Sequence, residues 1–303
     1  SIPVITQTVN AVNASKTTRK LLDKTIGISA EAPLPEYHSR TLNKRDAGRK
    51  PLAAEAVKTA STTGKVALFG TCYGNYNEPQ IGVDLIRVYE HNNIPVMLAQ
   101  GAQCCGMPKL ELGDLDAVTA AKETNIKVLA ALVDDGWDIV TPIPSCTLMF
   151  KQELPLMFPE EEDVQKVKNA IFDPFEYLML RHKEGKLNTE FKNPLGKVAY
   201  HVACHQRVQN IGMKTRDALQ LIPDTEVVPI ERCSGHDGIY TVKSEFHDMA
   251  MKICRPVVNK VKQAEPDHYT SDCAMAAHHI ESGLADGSTP EHPISLLRRA
   301  YGL

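Results

Sequence analysis

The chain has no long apolar run, no block of basic residues and no large surplus of either charge. Stretches such as Val66-Ala67-Leu68-Phe69 fall far short of the ~20 apolar residues that cross a bilayer. A membrane span is therefore not expected, and any association with the inner face of a cell membrane would be peripheral. The 34 Lys and Arg against 37 Asp and Glu leave a net charge of −3, which argues against a nucleic-acid partner. The single Trp, Trp137, is expected to pack in the core, and the acidic run Glu160-Glu161-Glu162-Asp163 to be a solvated helix start. No secretory signal is visible, and a start at Ser1 rather than Met leads us to expect more chain upstream. Eight cysteines in 303 residues are too sparse for a disulfide scaffold, and the adjacent Cys104-Cys105 is a poor disulfide pair. The expectation is a cytoplasmic protein whose cysteines serve metal or redox chemistry.

Seven of those cysteines fall into two groups that repeat each other. The first is Cys72, then Cys104-Cys105-Gly106, then Cys146; the second is Cys204, then Cys233-Ser234-Gly235, then Cys273. Lys65-Val66-Ala67 begins seven residues before Cys72, and Lys197-Val198-Ala199 begins seven before Cys204. The step to the next cysteine-bearing turn is 32 positions in one copy and 29 in the other. This is one unit, duplicated with a period of about 130 residues, which means two half-domains and not a solenoid. Cys254 has no counterpart in the first copy and reads as a core residue of a helix.

Hydrophobic patterning places the groups. Strands are expected at 66–69, 94–98 and 138–141, with helices between them, the first on Ile81, Leu85, Val88 and Tyr89 and the second over Leu115–Asp135. The second copy expects strands at 198–201 and 226–230, a helix through Met213–Leu221, a long helix near Glu245–Ala264, and a last strand before Cys273. Strand alternating with helix is the mark of a parallel α/β sheet. Each cysteine group falls at strand C-terminal ends, the edge where such sheets place ligands. The fold class is therefore α/β: two duplicated half-domains with parallel sheets, related by a pseudo-twofold. Residues 1–64 read as an N-terminal extension with one or two helices, 65–190 as the first cysteine-rich repeat and 191–303 as the second. Residues 151–196 read as a charged helical segment, with His182–Asn188 as a linker.

Four thiolates gathered at one sheet edge suit iron–sulfur or zinc. Two adjacent cysteines can turn toward one centre only if the backbone bends sharply, and Gly106 and Gly235 relax that bend. Gly70–Gly74 lacks the Lys-Ser/Thr of a phosphate-binding loop.

The duplicated cysteine … Cys-Cys-Gly … Cys pattern resembles the cysteine-rich domain of heterodisulfide reductase. It also resembles the iron–sulfur subunits of glycolate oxidase and anaerobic glycerol-3-phosphate dehydrogenase. Segments Cys72-Tyr73-Gly74-Asn75-Tyr76-Asn77, Cys104-Cys105-Gly106-Met107-Pro108, Pro144-Ser145-Cys146-Thr147-Leu148 and Glu231-Arg232-Cys233-Ser234-Gly235-His236 favour the last of these groups. The resemblance covers roughly residues 20–285. It implies one or two [4Fe-4S] clusters, non-cubane in some members. It also implies electron transfer beside a flavoprotein dehydrogenase subunit, toward quinone or another carrier. A ferredoxin-like module precedes this domain in many relatives and is not found in the present sequence, a further reason to expect more chain upstream. A catalytic, heterodisulfide-reductase-like role and a zinc-stabilised interaction module are the alternatives.

The sequence departs from the duplicated pattern. In the first copy Ile143 stands where the first cysteine of a Cys-x-x-Cys would be. In the second, Ser234 and Ala276 replace cysteines. The expected ligands are Cys72, Cys104, Cys105 and Cys146 at the first site, and Cys204, Cys233 and Cys273 at the second. The second site needs a fourth donor: His236 is the first choice, ahead of His205, His278 and His279. A three-cysteine, one-histidine set is typical of structural zinc and also compatible with a histidine-ligated cluster.

Overall fold

In the computed structural model, which describes residues 2–303, the short apolar runs form two fully parallel sheets. The first contains β1 (Val66–Leu68), β2 (Val96–Leu98), β3 (Asp138–Val140) and β4 (Ile171–Phe172), in the order β2-β1-β3-β4. The second contains β5 (Gly196–His201), β6 (Thr225–Ile230) and β7 (His268–Ser271), in the order β6-β5-β7. The duplication is visible in the register. Val66 pairs with Val96 on one side and Asp138 on the other, and its sequence equivalent Val198 pairs with Val227 and His268. Parallel strands are covered on both faces, which is why β1 and β3 are buried along their whole length and read as unbroken apolar runs.

Helices fill the crossovers. Pro79–His91 begins with proline at its first turn, where the missing N–H costs no hydrogen bond. It buries Ile81, Leu85, Val88 and Tyr89, the residues whose spacing announced it. Leu115–Asp134 is capped by the Asp114 carboxylate, which accepts from the Ala117 N–H. Ser244–Ala264 buries His247, Ala250 and Cys254 along one face. Cys254 is a buried helix residue, as expected. Trp137 is only half-buried, with the Lys65 ammonium 4.6 Å from its ring centre. The acidic run does start a helix at Glu162, but Glu161 receives the buried Lys122 ammonium at 2.6 and 2.7 Å.

Three features differ from the sequence reading. β4 interrupts the segment read as wholly helical, and the helix Pro174–Lys183 runs into the supposed linker. A last helix, Pro293–Tyr301, returns from the second half to pack on Pro79–His91 of the first. There Arg298 Nε meets Asp84 Oδ1 at 3.0 Å, and the Tyr301 hydroxyl donates to the Asn188 carbonyl. Leu68, Leu85 and Tyr89 therefore share one core with Tyr200, Leu297 and Tyr301. Finally, the N-terminal extension carries three helices, Pro3–Ala14, Lys16–Ile26 and Leu42–Asp46, and touches both halves. Leu42 is fully buried, the Asn43 N–H donates to Asn75 Oδ1, and the Ser29 N–H donates to the Val242 carbonyl.

A charged contact also joins the halves. His278 Nε2 lies 2.9 Å from Glu78 Oε1, and its Nδ1 lies 2.9 Å from Glu281 Oε2. These carboxylates, Glu78 first, outweigh burial and raise the imidazole from 6.5 to about 9. Since the folded value lies above the unfolded one, the stabilisation is complete below about pH 6.5 and is lost as pH rises through about 9. The thermal midpoint should therefore fall across that window, and His278→Gln should flatten the fall. Equal slopes for the two proteins would refute the assignment.

Candidate metal centres

The first cysteine group is assembled from three strand ends. β1 leads into Thr71, a β-branched residue held at φ +56°, where the backbone is strained. The Thr71 hydroxyl accepts from the Gly74 N–H at 2.8 Å, starting the turn that opens on Cys72. β2 leads to Cys104-Cys105, and Gly106 at φ +95° makes the turn that lets both thiols point inward. β3 leads to Cys146 in the helix Pro144–Leu148.

The four thiols meet. Cys72 Sγ lies 3.8 Å from Cys104 Sγ; Cys105 bridges Cys104 and Cys146; and Cys72 is within electrostatic reach of Cys146. Cys104 is the member that ionises first. Hydrogen bonds from Cys105 and Cys72, the Gly106 N–H and nearby Lys109 draw its pKa far down. Cys72 and Cys105 are pushed the other way by the bonds to that shared thiolate and by burial. Four ionised thiolates in this space require cationic compensation. Metal uptake would displace the protons of Cys72 and Cys105, so affinity should strengthen with rising pH.

The second group is built on the same strand ends but looser. Cys204 opens the helix Cys204–Arg207 after β5, Cys233 follows β6, and Cys273 is the N-cap of the helix Ala274–Leu284 after β7. Cys204 and Cys233 are hydrogen-bond neighbours, and Cys273 is in electrostatic reach of Cys204. Burial holds Cys273 up at about 11 despite the Ala276 and Met275 N–H groups of the helix start. Ser234 is buried in the place equivalent to Cys105. Gly235 at φ +76° presses the turn against the helix Ser244–Ala264.

The candidate histidines divide. His205 turns away, toward the first group: its Nδ1 is 2.8 Å from Ser145 Oγ, the residue next to Cys146. His278 is engaged by Glu78 and Glu281, as described above. His236 is mostly buried, with its Nε2 lacking any hydrogen-bond partner, and burial lowers its pKa to about 4, so the ring is neutral. His279 is fully buried with neither ring nitrogen bonded. Among the described residues, no three His, Cys, Asp or Glu side chains are placed to hold a single metal ion. The first group is a set of soft thiols without a carboxylate, a donor chemistry that fits an iron–sulfur cluster.

Two positioning residues escaped the sequence reading. Asn125, fully buried mid-helix, donates to the Cys104 carbonyl at 2.9 Å and accepts from the Gln103 N–H at 2.8 Å. A buried amide on an otherwise apolar helix face was the available signal. His201 does similar work in the second half. Its Nε2–H donates to the Arg232 carbonyl at 2.9 Å, and Nδ1 lies 3.0 Å from Ser271 Oγ, which also accepts from the Cys273 N–H. One neutral imidazole thus ties the turns of Cys233 and Cys273 together.

The sequence matches the family described as the cysteine-rich domain, CCG, twice, over residues 66–151 and 198–280. The chain belongs to the CCG cysteine-rich domain family. The two CCG matches start at β1 and near β5, and each spans one three-cornered cysteine group. Among curated relatives, this CCG chain is 29% identical over 294 residues to one of the subunits of anaerobic glycerol-3-phosphate dehydrogenase from Escherichia coli, covering 96% of this chain and 72% of that one. It is 27% identical over 226 residues to one of the subunits of fumarate reductase (CoM/CoB) from Methanothermobacter marburgensis, covering 73% of this chain and 42% of that protein. It is also 27% identical over 222 residues to an uncharacterized iron–sulfur protein of Methanocaldococcus jannaschii, covering 73% and 42%. No helix among the described residues is long and apolar enough to cross a membrane.

Proposed function

We propose that this chain is an iron–sulfur electron-transfer subunit working beside a flavin-dependent dehydrogenase of the glycerol-3-phosphate or 2-hydroxy-acid type. It would pass electrons toward quinone or another carrier. The observation that carries the reading is the contact between the cysteine groups. Ser145, next to Cys146, and His205, next to Cys204, share a 2.8 Å hydrogen bond across the junction of the two halves. Two thiol-lined positions on either side of one contact suit relay rather than isolated structural support. The likeness to a component of a glycerol-3-phosphate dehydrogenase and to a protein named for iron and sulfur supports the same assignment.

Cys72, Cys104, Cys105 and Cys146 would hold a [4Fe-4S] cluster, and Cys204, Cys233 and Cys273 would supply the thiolates of a second centre. When bound, such a group supplies one-electron redox chemistry. The protein's own part is to fix and insulate it. Asn125 and His201 set the cysteine-bearing turns, buried Cys105 and Cys146 close the inner side, and exposed Cys72, Cys204 and Cys233 leave an outer side open to a partner. With three thiolates against four, the second centre would be less negative and easier to reduce.

The test is anaerobic mixing of the purified chain with reduced flavin mononucleotide. Bleaching of the visible absorption in two resolved phases is expected. A chain whose visible spectrum does not respond to reduced flavin would overturn the proposal.

A further inference from the structure

His279 is the least explained side chain in the second half. Its exposure is 0%, and both ring nitrogens lack a hydrogen-bond partner; the Ala250 carbonyl lies beside the ring without closing a bond of good geometry. A buried polar atom left unpaired is destabilising, and native chains rarely retain one without a use for it. His236 repeats the pattern, with Nε2 buried and unpaired. The two rings face each other with centroids 6.5 Å apart and planes tilted by 50°. That is too far for a direct hydrogen bond between them. Two imidazoles that share one metal at ~2.0–2.1 Å place their ring centres roughly 5–6.5 Å apart, so the span fits one atom between them.

Both histidines ride on the elements that carry the second thiol group. His236 stands three residues after Cys233, in the turn that Gly235 seats against the Ala250 carbonyl. His279 lies on the helix capped by Cys273. The Cys254 thiol, within electrostatic reach of Cys233, lies 3.9 Å from the His279 carbonyl, so both rings belong to the Cys233 side of the site. The second copy has lost two cysteines, at Ser234 and Ala276, and these two imidazoles lie two and three residues beyond those positions.

We propose that His236 and His279 together ligate the metal of the second centre, replacing the thiolates lost at Ser234 and Ala276. The inference rests on the iron–sulfur reading above and specifies its second site: a mixed centre of three thiolates and two imidazoles.

The test uses the full chain, purified anaerobically, grown with and without 15N-histidine. Pulsed EPR of the reduced second centre should show nitrogen couplings that switch from 14N to 15N with the label. His236→Leu and His279→Leu should each remove part of that coupling and lower bound iron by up to about half, leaving the first centre's signal unchanged. Because leucine removes unpaired nitrogens, metal-free His279→Leu should melt no lower than the metal-free native chain, which separates ligand loss from misfolding. The isotope measurement is made on the native sequence and holds even where a variant does not fold. Two centres with no histidine nitrogen coupling would overturn this inference and leave the electron-transfer reading standing. A chain that takes up neither iron nor sulfide would remove both.

Discussion

Replacing Cys105 with alanine is expected to abolish the first centre while leaving the chain folded. Cys105 is 3% exposed and is the thiol that bridges Cys104 and Cys146. Its loss breaks the group at the middle and leaves three cysteines that no longer adjoin as one set. The same substitution removes only one buried sulfur atom, a packing loss of about 1–2 kcal/mol, because Met107, Val118 and Met149 of the surrounding core remain in place. Bound iron and sulfide should therefore fall far more than the melting temperature of the metal-free chain. Full retention of iron and sulfide in the Cys105→Ala protein would refute the ligand set.

Gly235→Ala is expected to be the most damaging small substitution in the second half. An added Cβ would lie 2.3 Å from the Ala250 carbonyl oxygen, a backbone atom that no side-chain rotation can move away. The residue also sits at φ +76°, where a side chain is strained in any case. Together these should cost roughly 2–4 kcal/mol. The turn carrying Cys233 and His236 would be lifted off its helix, so the second centre should fail before the first. Gly113→Ala provides the comparison, since that glycine has a similar φ of +74° with nothing within 4 Å of the added carbon. Equal destabilisation by the two substitutions would show that strain, and not the clash, dominates at Gly235.

Much of this architecture was legible in the sequence because a duplicated signal can be checked against itself. Val66 and Val198 fall at equivalent points of the repeat, and both prove to be central strand residues with partners on either side. The helices at Pro79–His91, Leu115–Asp134 and Ser244–Ala264 announced themselves through apolar spacing over three turns or more. The features that escaped are of a different kind. β4 has two residues, too few for any periodicity, and owes its existence to pairing with β3. The return of Pro293–Tyr301 onto the first half is a tertiary choice, decided by Asp84, Asn188 and a shared core remote in sequence.

At the metal centres the thiols could be named from spacing, whereas the roles of the histidines could not. Five candidate imidazoles, His201, His205, His236, His278 and His279, differ in what surrounds them and hardly at all in local sequence. His205 is directed to Ser145, His278 to two carboxylates and His201 to a backbone carbonyl; the unpaired nitrogens of His236 and His279 are visible only once burial is known. Asn125 was hidden for the same reason: its task is to hold the backbone at Cys104, and that contact spans 21 residues.

The most direct measurement is the content of iron, acid-labile sulfide and zinc in the anaerobically purified chain. Iron and sulfide in near-equal amounts, enough for both thiol groups and with little zinc, are the expected result. A colourless chain with stoichiometric zinc and no sulfide would contradict the account and identify the cysteine groups as structural supports.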